Sequence, residues 1–171
     1  MKRSGLLAVM VTVVLTLILV PAASPGDNLN FVTALSGLEE VPTRDTRGRG
    51  VAIFSLSKDG TELAYKLIVA NIENVVAAHI HIGPAGMNGP VVVFLFGPVP
   101  PGGGRTDGPL SEGVITAANF VGPLSGQPFS DLIEAIEAGN TYVNVHTDDG
   151  VAPPNTGAGD FPGGEIRGQI K

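Results

Sequence analysis

Only three histidines occur in the 171-residue chain, and two of them, His79 and His81, flank a single isoleucine in "AHIHIGPAGMNGP" (78–90). Side chains at i and i+2 of a strand leave the same face roughly 6.5 to 7 Å apart, so the pair can lean toward one point while Ile80 and Ile82 turn to the other side. His146 closes "YVNVH", where Tyr142, Asn144 and His146 share a face opposite Val143 and Val145. If these two strands are neighbours, or face each other at a sheet edge, three imidazoles converge. Three neutral imidazoles without a thiolate suit copper or zinc, copper ahead by the usual affinity order, with an open coordination position required for chemistry. The same rings also suit a plainer task, hydrogen bonding to loop carbonyls that hold the turn "GPAGMNGP" in place. Spacing alone leaves both readings open.

Other chemistries find less support. Ser36, Ser57 and Ser130 have no G-x-S-x-G elbow, and histidines committed to one cluster leave no independent base for a hydrolase triad. The glycines of "PPGGGRTDG" lack the lysine and following helix of a phosphate loop. No cysteine is present, which removes thiolate ligands, cysteine nucleophiles and disulfides. Asp148, Asp149 and Asp160 lie in the long connection "DDGVAPPNTGAGDFPG". Carboxylates and carbonyls can bind calcium, but no EF-hand ligand ladder is present, and the default expectation is a solvated acidic loop. Glu165 and Arg167, two apart on the last strand, are expected to share one face and to join a salt bridge or cross-strand pair. Arg167 is assigned structural service.

The elements that must position these groups are mostly short strands. Gly (24) and Pro (14) are abundant and charged residues make up only 15%, a composition that favours strands joined by tight turns. "NFVTALSG" reads as a first strand. "VAIFSLSKDGTELAYKLIVANI" reads as two strands around the hairpin signal Asp59-Gly60, with Leu63, Tyr65, Leu67 and Val69 on one face. "VVAAHIHIG" and the continuous apolar run "PVVVFLFGPVP" follow as strands. "PPGGGRTDGP" reads as a loop and "GVITAANF" as a short strand. One short helix is expected in "SGQPFSDLIEAIEAGN", with Ser130 as N-cap, Asp131 in the first turn, Leu132, Ile133 and Ile136 as the apolar stripe and Gly139 ending it. "TYVNVHT" and "GEIRGQI" complete about eight strands. The fold class is all-β: an antiparallel β-sandwich or Greek-key barrel, immunoglobulin-like or superoxide-dismutase-like.

Residues 1–23 are expected to be a secretory signal peptide: Lys2 and Arg3, an apolar run from Leu6 to Val20, then Ala22 and Ala23 before a cleavage site. The run is shorter than the ~20 residues of a membrane-spanning helix, so no span is expected after cleavage. Residues 24–171 form a single domain, placed outside the cell, in the periplasm or at the cell surface. The net charge of −6 grows more negative without Lys2 and Arg3, which excludes nucleic acid and anionic lipid as partners.

The segments "ALSGLEEVP", "GVAIFSLS", "AHIHIGPAGMNGPVVV", "AGNTYVNVHT" and "GEIRGQI", in this order, resemble the chordin-type (CHRD) domain, from about Phe31 to Ile170. The resemblance implies an immunoglobulin-like β-sandwich and a secreted or cell-envelope module without catalytic activity, whose partner is an unidentified extracellular macromolecule. The connection between His146 and Gly164 is longer than the short turn common in that family. A weaker likeness is to the copper half of copper/zinc superoxide dismutase, in which His79, His81 and His146 correspond to three copper-ligand positions. A fourth, bridging histidine, a zinc-ligand cluster and a disulfide are all missing, so dismutase activity is not carried over. The alternative function is accordingly a copper-binding, redox-capable protein with a three-histidine site.

Overall fold

The computed structural model describes residues 30–171; the signal segment read at 1–23 lies outside the described residues. Eight strands form one antiparallel sheet: β1 (Asn30–Ser36), β2 (Arg49–Leu56), β3 (Leu63–Glu73), β4 (Val75–Ile82), β5 (Val91–Phe96), β6 (Arg105–Ile115), β7 (Thr141–Thr147) and β8 (Ile166–Gln169). Their order is β5-β4-β7-β8-β1-β2-β3-β6. The sheet curls until its two edges nearly meet. Val121 N–H donates to the Val92 carbonyl at 2.9 Å, Phe120 bridges to Val93, and the Tyr65 hydroxyl donates across the gap to the Leu95 carbonyl at 2.8 Å. The result is a near-closed barrel with Greek-key connections, and closure removes most of the unpaired strand edge.

Period-two alternation selects the interior. On β1 and β2 every second residue is buried, and Phe54, Leu63, Leu67, Ile80, Val143 and Ile166 are wholly enclosed. Asp59 and Gly60 do sit in the β2–β3 turn, within a six-residue loop in which the Asp59 carboxylate accepts from Ser57 Oγ (2.6 Å) and Thr61 Oγ1 (2.8 Å). The helix α1 (Phe129–Glu137) closes one end of the barrel through Phe129, Leu132 and Ile136. Its N-cap is Pro128 rather than Ser130. Burial of Phe129, stacked on Phe120 at 5.8 Å, draws the helix start forward, and Ser130 falls inside the first turn. Gly139 ends the helix with φ +68°, a conformation that glycine adopts without a Cβ clash.

One strand was hidden by its composition. β6 begins at Arg105, inside the Gly- and Pro-rich stretch read as a loop, and "GVITAANF" supplies only its end. The strand tolerates Pro109 and Gly108 because it borders the barrel seam and pairs irregularly with β3, whose register shifts between Leu67 and Ile68 and again between Val69 and Ile72.

β1 and β8 meet through one ladder pair, Ser36 with Arg167. Gly168 makes that approach possible: a Cβ there would collide with the Ala34 carbonyl oxygen. Gly168→Ala is therefore expected to cost about 1–3 kcal/mol, read as a lower urea midpoint. A midpoint unchanged within error would show that the seam can widen freely. Among the described residues no helix is long and apolar enough to cross a membrane.

Candidate functional site

β4 and β7 are immediate neighbours, with His79 opposite Asn144, His81 opposite Tyr142 and Ala77 opposite His146. All three rings therefore stand on the outer face of one two-stranded ribbon, backed by Ile80, Val143 and Val145 in the core. His79 Nδ1 lies 3.0 Å from His146 Nε2. The ring centroids are 5.6 Å apart for His79 and His81, 4.7 Å for His79 and His146, and 6.0 Å for His81 and His146. One nitrogen from each ring falls within 4.8 Å of the others. The convergence that depended on strand adjacency is realised.

Two loops fold over this face and orient the rings. His81 Nδ1 is 2.9 Å from the Gly89 carbonyl and His146 Nδ1 is 2.9 Å from the Pro162 carbonyl. A carbonyl only accepts, so each Nδ1 carries the proton of its neutral ring and each Nε2 presents a lone pair. His146 Nε2 then accepts from His79 Nδ1. His81 Nε2 and His79 Nε2 are buried and have no hydrogen-bond partner. The plainer reading of the sequence is met at His81, whose Nδ1 holds the Gly-rich turn while Nε2 of the same ring stays without a partner.

The electrostatics keep the rings neutral. Burial, reinforced by the neighbouring His146 and His81 rings, lowers His79 to about 4. Burial also lowers His81 to about 4, against the Gly89 carbonyl, which favours the charged ring. His146 is lowered by burial, opposed by the Pro162 carbonyl. Deprotonated imidazole is the ligating form.

Arg167 anchors the turn above His81. It is 1% exposed and donates to Asn88 Oδ1 (3.2 Å), the Pro84 carbonyl (3.2 Å) and the Met87 carbonyl (2.9 Å). Its guanidinium carbon lies 3.4 Å from the Tyr142 ring centroid, while His81 stacks on Tyr142 at 4.8 Å from the flanking strand on the other side. The Tyr142 hydroxyl accepts the Gly89 N–H at 3.0 Å. The salt bridge expected for Glu165 or Arg167 does not form. Glu165 is fully buried and accepts instead from Thr46 Oγ1, Thr147 Oγ1 and Gly159 N–H, because hydroxyls and an amide from three segments reach it first.

Two residues of this region carried no signal of their own. Glu40 is 4% exposed and accepts from Asn144 Nδ2 at 3.1 and 3.2 Å. Burial raises it to about 7, against the pull of Arg167 and Arg44. Asn144 is buried between strands, with Oδ1 unpartnered.

The CHRD domain model matches residues 31–170, which is all but the ends of the described chain. The chain belongs to the CHRD-domain family. Neither a curated protein nor a solved structure matches it. The protein is thus a CHRD-domain structural or binding module, and in this CHRD domain the landmarks "AHIHIGPAGMNGP", "YVNVH" and "GEIRGQI" build one continuous patch of β4, β7 and β8 with the 83–90 turn above it. The three histidines clustered in that patch are a set able, in principle, to coordinate a metal ion.

Proposed function

We propose that this CHRD domain is an exported envelope module that holds one copper ion through His79, His81 and His146, and that it carries the ion without turning over a substrate. The observation behind the reading is His81 Nε2: its lone pair is fixed by the Nδ1–H bond to Gly89, yet the atom is buried without a donor. An orphaned buried acceptor costs roughly 1–3 kcal/mol, a penalty that a cation removes. The 3.0 Å hydrogen bond from His79 Nδ1 to His146 Nε2 already brings the two rings as close as two ligands of one ion lie, once the His79 proton shifts from Nδ1 to Nε2. Two nitrogens bound to one ion at ~2.0–2.1 Å, at angles between square and tetrahedral, lie roughly 2.9–3.4 Å apart. Three imidazoles without thiolate favour copper(II) over zinc. His79 and His81 are only 9% and 8% exposed, which leaves little room for a larger substrate.

Copper(II) titration of the purified mature chain is expected to show one equivalent bound at micromolar affinity or tighter, with a nitrogen-coupled paramagnetic spectrum. His79→Ala and His146→Ala should each lose it. Binding no stronger than that of an unrelated protein, or retained in both variants, would return the rings to hydrogen bonding alone. The macromolecular partner implied by the family is a separate reading, and exposed Val32, Val51 and Ile53 on adjoining β1 and β2 offer it a surface.

A further inference from the structure

The long connection after β7 folds back on the barrel, so the expectation of a solvated acidic loop fails at Asp160, which is 2% exposed. Its Oδ2 accepts from Thr156 N–H (2.8 Å) and Thr156 Oγ1 (2.9 Å). Its Oδ1 is buried and has no partner. Asp148 and Asp149 each bring a carboxylate to the same place, with one oxygen from each of the three residues within 4.8 Å of the others. Asp148 Oδ1 accepts Gly150 N–H (2.7 Å) and Asp149 Oδ1 accepts Val151 N–H (2.8 Å). Those bonds fix two carboxylates and leave their second oxygens free. Among the described residues the ion pairs are Lys66 with Glu112 and Arg105 with Asp107, so no lysine or arginine is paired with the three.

We propose that Asp148, Asp149 and Asp160 form a calcium site, with Asp160 Oδ1 as its buried ligand. Three like charges this close repel one another strongly when no cation sits between them, and one of their oxygens has lost its water without gaining a donor. All the donor atoms are hard oxygens, which suit calcium rather than copper or zinc, and a loop that keeps solvent on one side can complete the six to eight ligands with carbonyls and water. The site has a structural task within reach. Phe161, next to Asp160, exchanges bonds with Thr147 in both directions, its N–H to Thr147 Oγ1 (2.9 Å) and its carbonyl from Thr147 N–H (3.3 Å), and the following Pro162 carbonyl orients His146. A cation on Asp160 would fasten the 160–162 segment to the end of β7. The assignment does not rest on the histidine reading.

The test is calorimetric titration of the full mature chain with calcium chloride alone, paired with thermal melts in 5 mM calcium and in chelator. One equivalent bound at submillimolar affinity, with a melting temperature raised by about 5 °C or more, is expected. Asp148→Asn and Asp149→Asn retain an oxygen for the Gly150 and Val151 amides, and each should weaken calcium binding at least tenfold while melting normally in chelator. Glu112→Gln, on the surface, should bind as the native chain does. His79→Ala should keep the calcium shift, and its loss there would move the ion to the rings and overturn the assignment. So would an unmoved native melting temperature in 5 mM calcium, or a shift equally large in Asp149→Asn.

Discussion

Replacing Arg167 with alanine is expected to lower stability by about 3–5 kcal/mol, enough to leave much of the chain unfolded at 37 °C. The side chain is wholly buried, so its removal strips donors from two carbonyls and from Asn88 Oδ1, uncovers the Tyr142 ring, and takes away the positive charge that acts most strongly on buried Glu40. Each loss is individually modest. Together they free the 83–90 turn, and with it the Gly89 carbonyl that orients His81. Arg167→Lys should recover little, because an ammonium is a point charge that cannot reach three acceptors while lying flat on an aromatic ring. Urea midpoints at pH 7.5 measure the cost, and copper titration of the folded fraction should show affinity at least tenfold weaker. Arg105→Ala is the contrast: that arginine is exposed and paired with exposed Asp107, and its loss should barely move the midpoint. If Arg167→Ala matched Arg105→Ala, the anchoring role of Arg167 would be refuted.

The sequence discloses the parts of this molecule that alternate, and conceals the parts held by single long-range contacts. β1, β3, β4, β5 and β7 begin and end close to where their apolar periods predict, and the alternation in "TYVNVHT" places His146 on the correct face. Periodicity reports which side of a strand meets the core and nothing about which strand lies beside it. The adjacency of β4 and β7, on which the convergence of the histidines depends, was therefore a condition in one dimension and is a fact only in three. Composition misleads at β6, where Gly108 and Pro109 look like loop residues but are accommodated by an irregular edge. Charge misleads at Glu40, Asp160, Glu165 and Arg167. All four are buried; Glu40, Glu165 and Arg167 find partners on segments remote in sequence, which no local spacing encodes, and Asp160 is held by Thr156 in the same folded-back loop. Of the salt bridge or cross-strand pair expected for Glu165 and Arg167, only the cross-strand pairing of Arg167 with Asn144 and Ser36 is present among the described residues.

Acid is expected to destabilise the ion-free protein between pH 6.5 and 4, and the histidine cluster sets the sign. His79 and His81 sit at about 4 in the fold against an ordinary 6.5. In that interval the unfolded chain therefore takes up protons that the folded chain refuses, and stability falls as pH falls. A ring displaced this far is worth on the order of 3 kcal/mol when the full interval is crossed, and about 2 kcal/mol by pH 5. His146 adds in the same direction. Glu40 works the other way: raised from 4.5 to about 7, it holds a proton in the fold that the unfolded chain gives up, so its contribution grows more favourable from pH 7 down to 4.5. Three rings outweigh one carboxyl, and the descent levels off near pH 4, where the folded rings take up protons of their own. Exposed Asp59 and Asp107, held low by their hydrogen-bonding partners, matter only below their ordinary 3.8. Replacing all three histidines with glutamine should thus reverse the slope between pH 6.5 and 5, leaving a chain that gains stability as Glu40 takes up its proton. Urea midpoints at half-unit steps of pH, in chelator, read this directly. Parallel curves for the native and triple-variant chains would mean that the rings are not sheltered from water as the barrel face and its two covering loops place them.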